Sequence, residues 1–125
     1  MYKRQFLLDE DLDAIAAAES SVFQPLLDGL LALDGVRLWG PPTISGRTPT
    51  AAFTIDGWHP DEVAAALADR QIAVWSGHSY AVEAAAQLGL SDSGGVVRAG
   101  VVRYVTDDDV ARLLDAVGEF SRARR

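Results

Sequence analysis

Gly95-Val96-Val97-Arg98-Ala99-Gly100-Val101-Val102 sets a single guanidinium inside a run of apolar and small residues. Strand alternation places Arg98, Gly100, Val102 and Tyr104 on one face, and Val97, Ala99, Val101 and Arg103 on the other. A guanidinium among apolar neighbours loses hydration unless an anion meets it. Two uses follow from the residue types. Arg98 is either a bidentate fork for a ligand carboxylate, with Ala99 and Gly100 leaving room, or a structural cation. The structural version pairs it with one of the chain's eighteen carboxylates or lets it snorkel at the sheet edge. Pattern alone leaves both open.

His78 lies in the Gly-containing loop Ser76-Gly77-His78-Ser79, where sites are often built. Tyr80, next along, suits either a hydrogen-bond donor in a site or an anchor between helix and sheet, the commoner use of a tyrosine. His59 precedes Pro60 and reads as a helix cap. No carboxylate stands at a spacing that would complete a metal site with either histidine. Nothing resembles a nucleophile elbow, and Gly94-Gly95 lacks a P-loop lysine. The three tryptophans read as core and domain-contact residues.

These residues need elements to hold them. Leu12, Ile15, Val22, Leu26, Leu30 and Leu33 recur at helical steps, predicting a long amphipathic helix with a kink or restart near Ser20–Gln24 ahead of Pro25. Val36–Trp39 and Pro49–Ile55 read as strands, the second with Ala51, Phe53 and Ile55 on one face. Pro60 suits a first helical position. Ile72–Trp75, almost wholly apolar, predicts a strand inside the sheet. A helix is expected over Tyr80–Leu88 and the longest strand over Val96–Tyr104. Thr106 with Asp109 forms a capping box for the last helix. The order α-β-β-α-β-α-β-α predicts a two-layer α+β domain. Its mainly antiparallel sheet of about four strands is covered by helices on one face and preceded by a long amphipathic helix.

Composition narrows the function. The 125 residues are 49% hydrophobic and 23% charged, which suits a globular chain. A formal charge of −7 disfavours nucleic acid and anionic membrane surfaces as partners. Arg122, Arg124 and Arg125 cluster at a helix end, where cations suit the dipole. The chain has no cysteine, so it holds no disulfide, thiolate metal site or thiol nucleophile. No membrane span or signal peptide is read, and a cytoplasmic location is expected.

Val63–Ala81 (VAAALADRQIAVWSGHSYA) and Gly95–Leu114 (GVVRAGVVRYVTDDDVARLL), in this order and separation, resemble the C-terminal small domain of class V aminotransferases. The nearest branch is the cysteine desulfurase-like proteins, fold-type I enzymes dependent on pyridoxal phosphate. Arg47–Phe53 resembles the strand by which the chain enters that domain, and the leading helix resembles the one joining large and small domains. The resemblance implies that Arg98 binds the substrate α-carboxylate and that the loop Ser76–Tyr80 faces the active site. His78 and Tyr80 are thereby the other candidate substrate-binding residues. Desulfurases carry their sulfur-accepting cysteine in this loop. Here Tyr80 takes that place, Trp75 stands where many relatives have a second arginine, and Val105 replaces a common asparagine.

Lys3 is the single lysine; the other ten basic residues are arginines. The family holds pyridoxal phosphate through a lysine in its large domain. The resemblance therefore implies a C-terminal part of an enzyme, inactive alone. Its cofactor-bearing large domain would be absent, its substrate an amino acid and its parent a homodimer. Residues 1–5, Met1-Tyr2-Lys3-Arg4-Gln5, depart from the bias of the rest and resemble a translated transposon end. They are expected to be a non-native leader, followed by a linking helix over 6–34 and the small domain over 35–125. The alternatives are a free-standing small amino-acid-binding module, and an interaction domain with Arg98 in an ion pair.

Overall fold

The computed structural model describes residues 2–124. Met1, in the expected leader, and Arg125, in the C-terminal arginine cluster, lie outside the described residues. In chain order the elements are α1 (Tyr2–Asp9), α2 (Leu12–Ala32), β1 (Val36–Trp39), β2 (Thr50–Ile55), α3 (Pro60–Asp69), β3 (Trp75–Gly77), α4 (Val82–Gln87), β4 (Val96–Gly100) and α5 (Asp107–Ala123). The strands form one sheet in the order β1-β2-β4-β3, antiparallel at every pairing. This is the α+β architecture that the alternating patterns predict.

The period of two in β2 decides which face is buried. Ala51, Phe53 and Ile55 turn inward, joined by Val97 and Ala99 of β4. Over them lie Phe23, Leu26, Leu27 and Leu30 of α2, Val63 and Leu67 of α3, and Val110, Leu113, Val117 and Phe120 of α5. Phe53 and Val97 face one another across the ladder at 0% exposure. The short α4 lies beside the opposite face, sharing a cavity of about 240 Å³ with Trp39, Ala52 and Val96.

Both predicted caps are present. The Thr106 hydroxyl accepts from the Asp109 amide at 3.2 Å, and the Asp109 carboxylate accepts from the Thr106 amide at 2.9 Å. His59 Nδ1 accepts from the Asp61 amide at 3.2 Å, while Glu62 accepts from the His59 amide at 3.0 Å. Pro60 follows at the first helical position, where its missing N–H leaves no bond unmade.

Four expectations are corrected. No restart occurs at Ser20–Gln24: α2 is one helix with Pro25 inside it, capped by Asp11, whose carboxylate accepts from the Ala14 amide. Ile72–Val74 is not a strand. The ladder begins only at Trp75, and β3 is an edge rather than an interior strand. Ile72 and Val74 bury themselves by packing on the core, which made the run look like an inner strand. The last strand stops at Gly100 because its partner runs out: Gly100 pairs with Thr50, and the Val101 amide takes the Pro49 carbonyl. β2 is thus the longest strand. The helix expected from Tyr80 starts at Val82, because Ser79 and Tyr80 hold φ of 51° and 64°.

Candidate functional site

Register brings the site residues together. On the face of the sheet away from the core, Trp39 lies opposite Ala52, Ala52 opposite Arg98, and Arg98 opposite Trp75. One row thus crosses all four strands. Two residues along β4, Gly100 lies opposite Thr50. The Ala52 methyl and the bare Gly100 leave Arg98 uncrowded on two sides.

Arg98 is exposed, so the desolvation expected of a guanidinium among apolar residues is not incurred. Among the described residues it has no carboxylate within ion-pair reach, no hydrogen-bond partner and no aromatic ring beneath it. Several other arginines are engaged. Arg37 stacks on Trp39 at 3.9 Å, and Arg47 donates to the carbonyls of Pro41 and Thr50. Arg103 pairs with Glu10 at 2.7 Å, and Arg124 with Glu62 at 3.0 Å. The internal ion pair that spacing allowed for Arg98 is absent among the described residues.

Arg98 lines an open depression of about 410 Å³ together with Thr50, Trp75, Ser79, Tyr80 and Gly100. Tyr80 is 98% exposed, so it does not anchor α4 to the sheet as tyrosines commonly do. Trp75 is 68% exposed and is no core residue. Among the described residues the buried Ser79 hydroxyl has no hydrogen-bond partner. His78 is exposed and lines the α4 cavity instead, beside Trp39 and Ala81. Two of the three candidates therefore share a depression, and the third faces a neighbouring one.

Backbone contacts fix this corner. Gly77 and Gly95 hold φ of 106° and 83°, and a Cβ on Gly95 would run into the Gly77 carbonyl. Only glycine permits that approach and that conformation together. On the core face, Ser76 donates to Asp61 at 2.6 Å, tying β3 to α3. Sequence reasoning did not single out Thr50, Trp75 or Ser79 as site residues. Alternation in β2 already puts Thr50 opposite Phe53's face; Trp75 required the true register of β3, and Ser79 required the loop path.

The residues present do not make a pyridoxal phosphate site. Lys3 is exposed on α1, in a depression with Tyr2, Phe6 and Leu7 that shares no residue with that of Arg98. Among the described residues no group of three or more His, Cys, Asp or Glu could hold a metal ion. No helix of the described residues is long and apolar enough to cross a membrane.

The sequence profile of the Aminotransferase class-V family matches residues 5–113, and the chain belongs to that family. Within it, the chain is similar to cysteine desulfurases. It is 38% identical over 114 residues to a probable cysteine desulfurase of Pseudomonas putida, covering 91% of this chain and 27% of that protein. A probable cysteine desulfurase of Mycobacterium leprae is 31% identical, with 85% and 25% covered. Among solved structures, the apo cysteine desulfurase of Thermococcus onnurineus superposes with a TM-score of 0.82 at 30% identity, covering 90% of this chain and 27% of that one. Escherichia coli CsdA gives 0.81 at 26% identity, with 97% and 29% covered. The chain thus spans about a quarter of the length of the relatives it matches.

Proposed function

We propose that this chain forms the substrate-carboxylate side of a class V pyridoxal-phosphate enzyme acting on an amino acid, with Arg98 as the clamp. The observation that carries the reading is that, among the described residues, Arg98 is unpaired in a sheet whose other arginine, Arg37, is engaged. A planar guanidinium with free donors, exposed at the floor of a depression, meets a carboxylate through two parallel hydrogen bonds. Bound there, the ligand is held by its acid end while its reacting carbon is oriented for groups outside this chain. The cofactor, with its lysine, belongs to residues beyond these 125, and the parent is read as a homodimer. His78, at the adjoining cavity, is reserved for a part of the substrate that reaches past the loop.

The loop thiol of desulfurases has no counterpart, since the chain has no cysteine; by the resemblance, Tyr80 takes that place. Sulfur transfer through this loop is therefore not part of the reading. In the complete enzyme, Arg98→Ala is expected to raise KM for the amino acid about tenfold or more, with Arg98→Lys intermediate. Steady-state kinetics decide it. An unchanged KM in Arg98→Ala overturns the clamp.

A further inference from the structure

The geometry points to a ligand class for the Arg98 depression: a monocarboxylate bearing an aromatic side chain, such as an aromatic amino acid. The inference rests on the reading of Arg98 as a carboxylate clamp and adds the two rings beside it. Trp39 and Trp58 are engaged, the first under Arg37 with its indole donating to Thr54 at 3.0 Å, the second against Phe120 and Arg124. Trp75 has no such contact among the described residues, and neither has Tyr80. Single exposed rings on a surface are ordinary. Two that line the same depression as an unpartnered guanidinium are a recognition pattern.

The rest of the depression agrees with this class. Gly100 leaves the sheet surface bare beside Arg98, so a flat group can lie against the strands. Left-handed backbone at two successive non-glycine residues, Ser79 and Tyr80, is rarely held without a reason. It keeps Tyr80 out of α4 and at the rim. Among the described residues, Arg98 is the one charged side chain lining the depression. A dicarboxylate would place its second charge against rings with no counter-charge, and a small side chain would leave both rings in water.

The test is a titration of the ¹⁵N-labelled full chain with L-phenylalanine, L-alanine and phenethylamine, followed at the Trp75 indole N–H and the backbone amides. Phenylalanine is expected to bind about five- to tenfold more tightly than alanine, and phenethylamine, lacking the carboxylate, at least tenfold more weakly than phenylalanine. Trp75→Ala should bring phenylalanine down to alanine's affinity. Trp75→Leu, which keeps apolar bulk without the ring, should lose most of the preference too. Equal affinities for phenylalanine and alanine in the unaltered chain, or a preference that survives both Trp75 variants, would overturn the ligand class while leaving the clamp intact. Should Arg98→Met bind both amino acids as the unaltered chain does, the clamp itself fails.

Discussion

Arg124 and Arg98 are the same residue type put to opposite uses. Arg124 lies 3.7 Å from the centre of the Trp58 ring, donates to the Gly57 carbonyl at 3.0 Å and pairs with Glu62. Nearby, Arg70 meets Glu119 at 2.6 Å and lies over Phe120, and the Trp58 indole donates to the Phe120 carbonyl at 2.9 Å. Both of these cations are taken up by their own chain. At the β3–β4 corner, by contrast, Arg98 has rings within the same depression and, among the described residues, none beneath it. The lesson is that an arginine's role here is read from what it lacks. Arg70 and Arg124 are used up by their own chain, whereas among the described residues Arg98 keeps its donors available.

Breaking the Arg124 end should have the largest effect. Trp58→Ala removes a half-buried ring on which Arg124, Phe120 and a backbone carbonyl all depend, with an expected loss of about 2–3 kcal/mol in urea unfolding. Gly95→Ala comes next, at about 2 kcal/mol, since it forces a strained φ and a clash with Gly77. Hydrogen exchange should show lost protection in β3 with β1–β2 intact. Arg124→Ala should lose about 0.5–1 kcal/mol through its ring contact alone.

Acid sharpens the contrast further. Arg124 holds the Glu62 carboxyl below the ordinary glutamate value, Arg70 does the same for Glu119, and the Thr106 amide and hydroxyl do so for Asp109. Folded-state values lower than unfolded ones mean stability that is complete above the unfolded values and drains away as pH falls through the folded ones. Glu62→Gln and Glu119→Gln should flatten this acid limb of the stability profile. Arg98→Ala should leave it unaltered and shift neutral-pH stability by less than about 0.5 kcal/mol, the smallest effect of the series. A larger loss would show that Arg98 is structural after all.

Much of this was legible from local chemistry. The Thr106/Asp109 cap, the His59–Pro60 helix start and the alternation of β2 each depend on residues within a few positions of one another, and all were found where the pattern placed them. Arg98 stood out because a charge in an apolar strand is conspicuous. What sequence reasoning misjudged depends on partners distant in the chain. Ile72–Val74 is apolar because it packs on helices, not because it is laddered, and β4 stops where Pro49 ends the neighbouring strand. The place of Tyr80 depends on two left-handed residues that side-chain type does not announce.

The close approach of Gly77 and Gly95 has a consequence beyond the corner it occupies. A three-residue strand has little to choose its own alignment, and a slide by a single position would carry Trp75 to the core side and bring Ser76 across from Arg98. Gly95 fits against the Gly77 backbone only because it has no Cβ, so this contact acts as a key that seats the strand. Whatever selectivity the indole confers is thus set by a pair of atoms-poor positions that never touch the ligand.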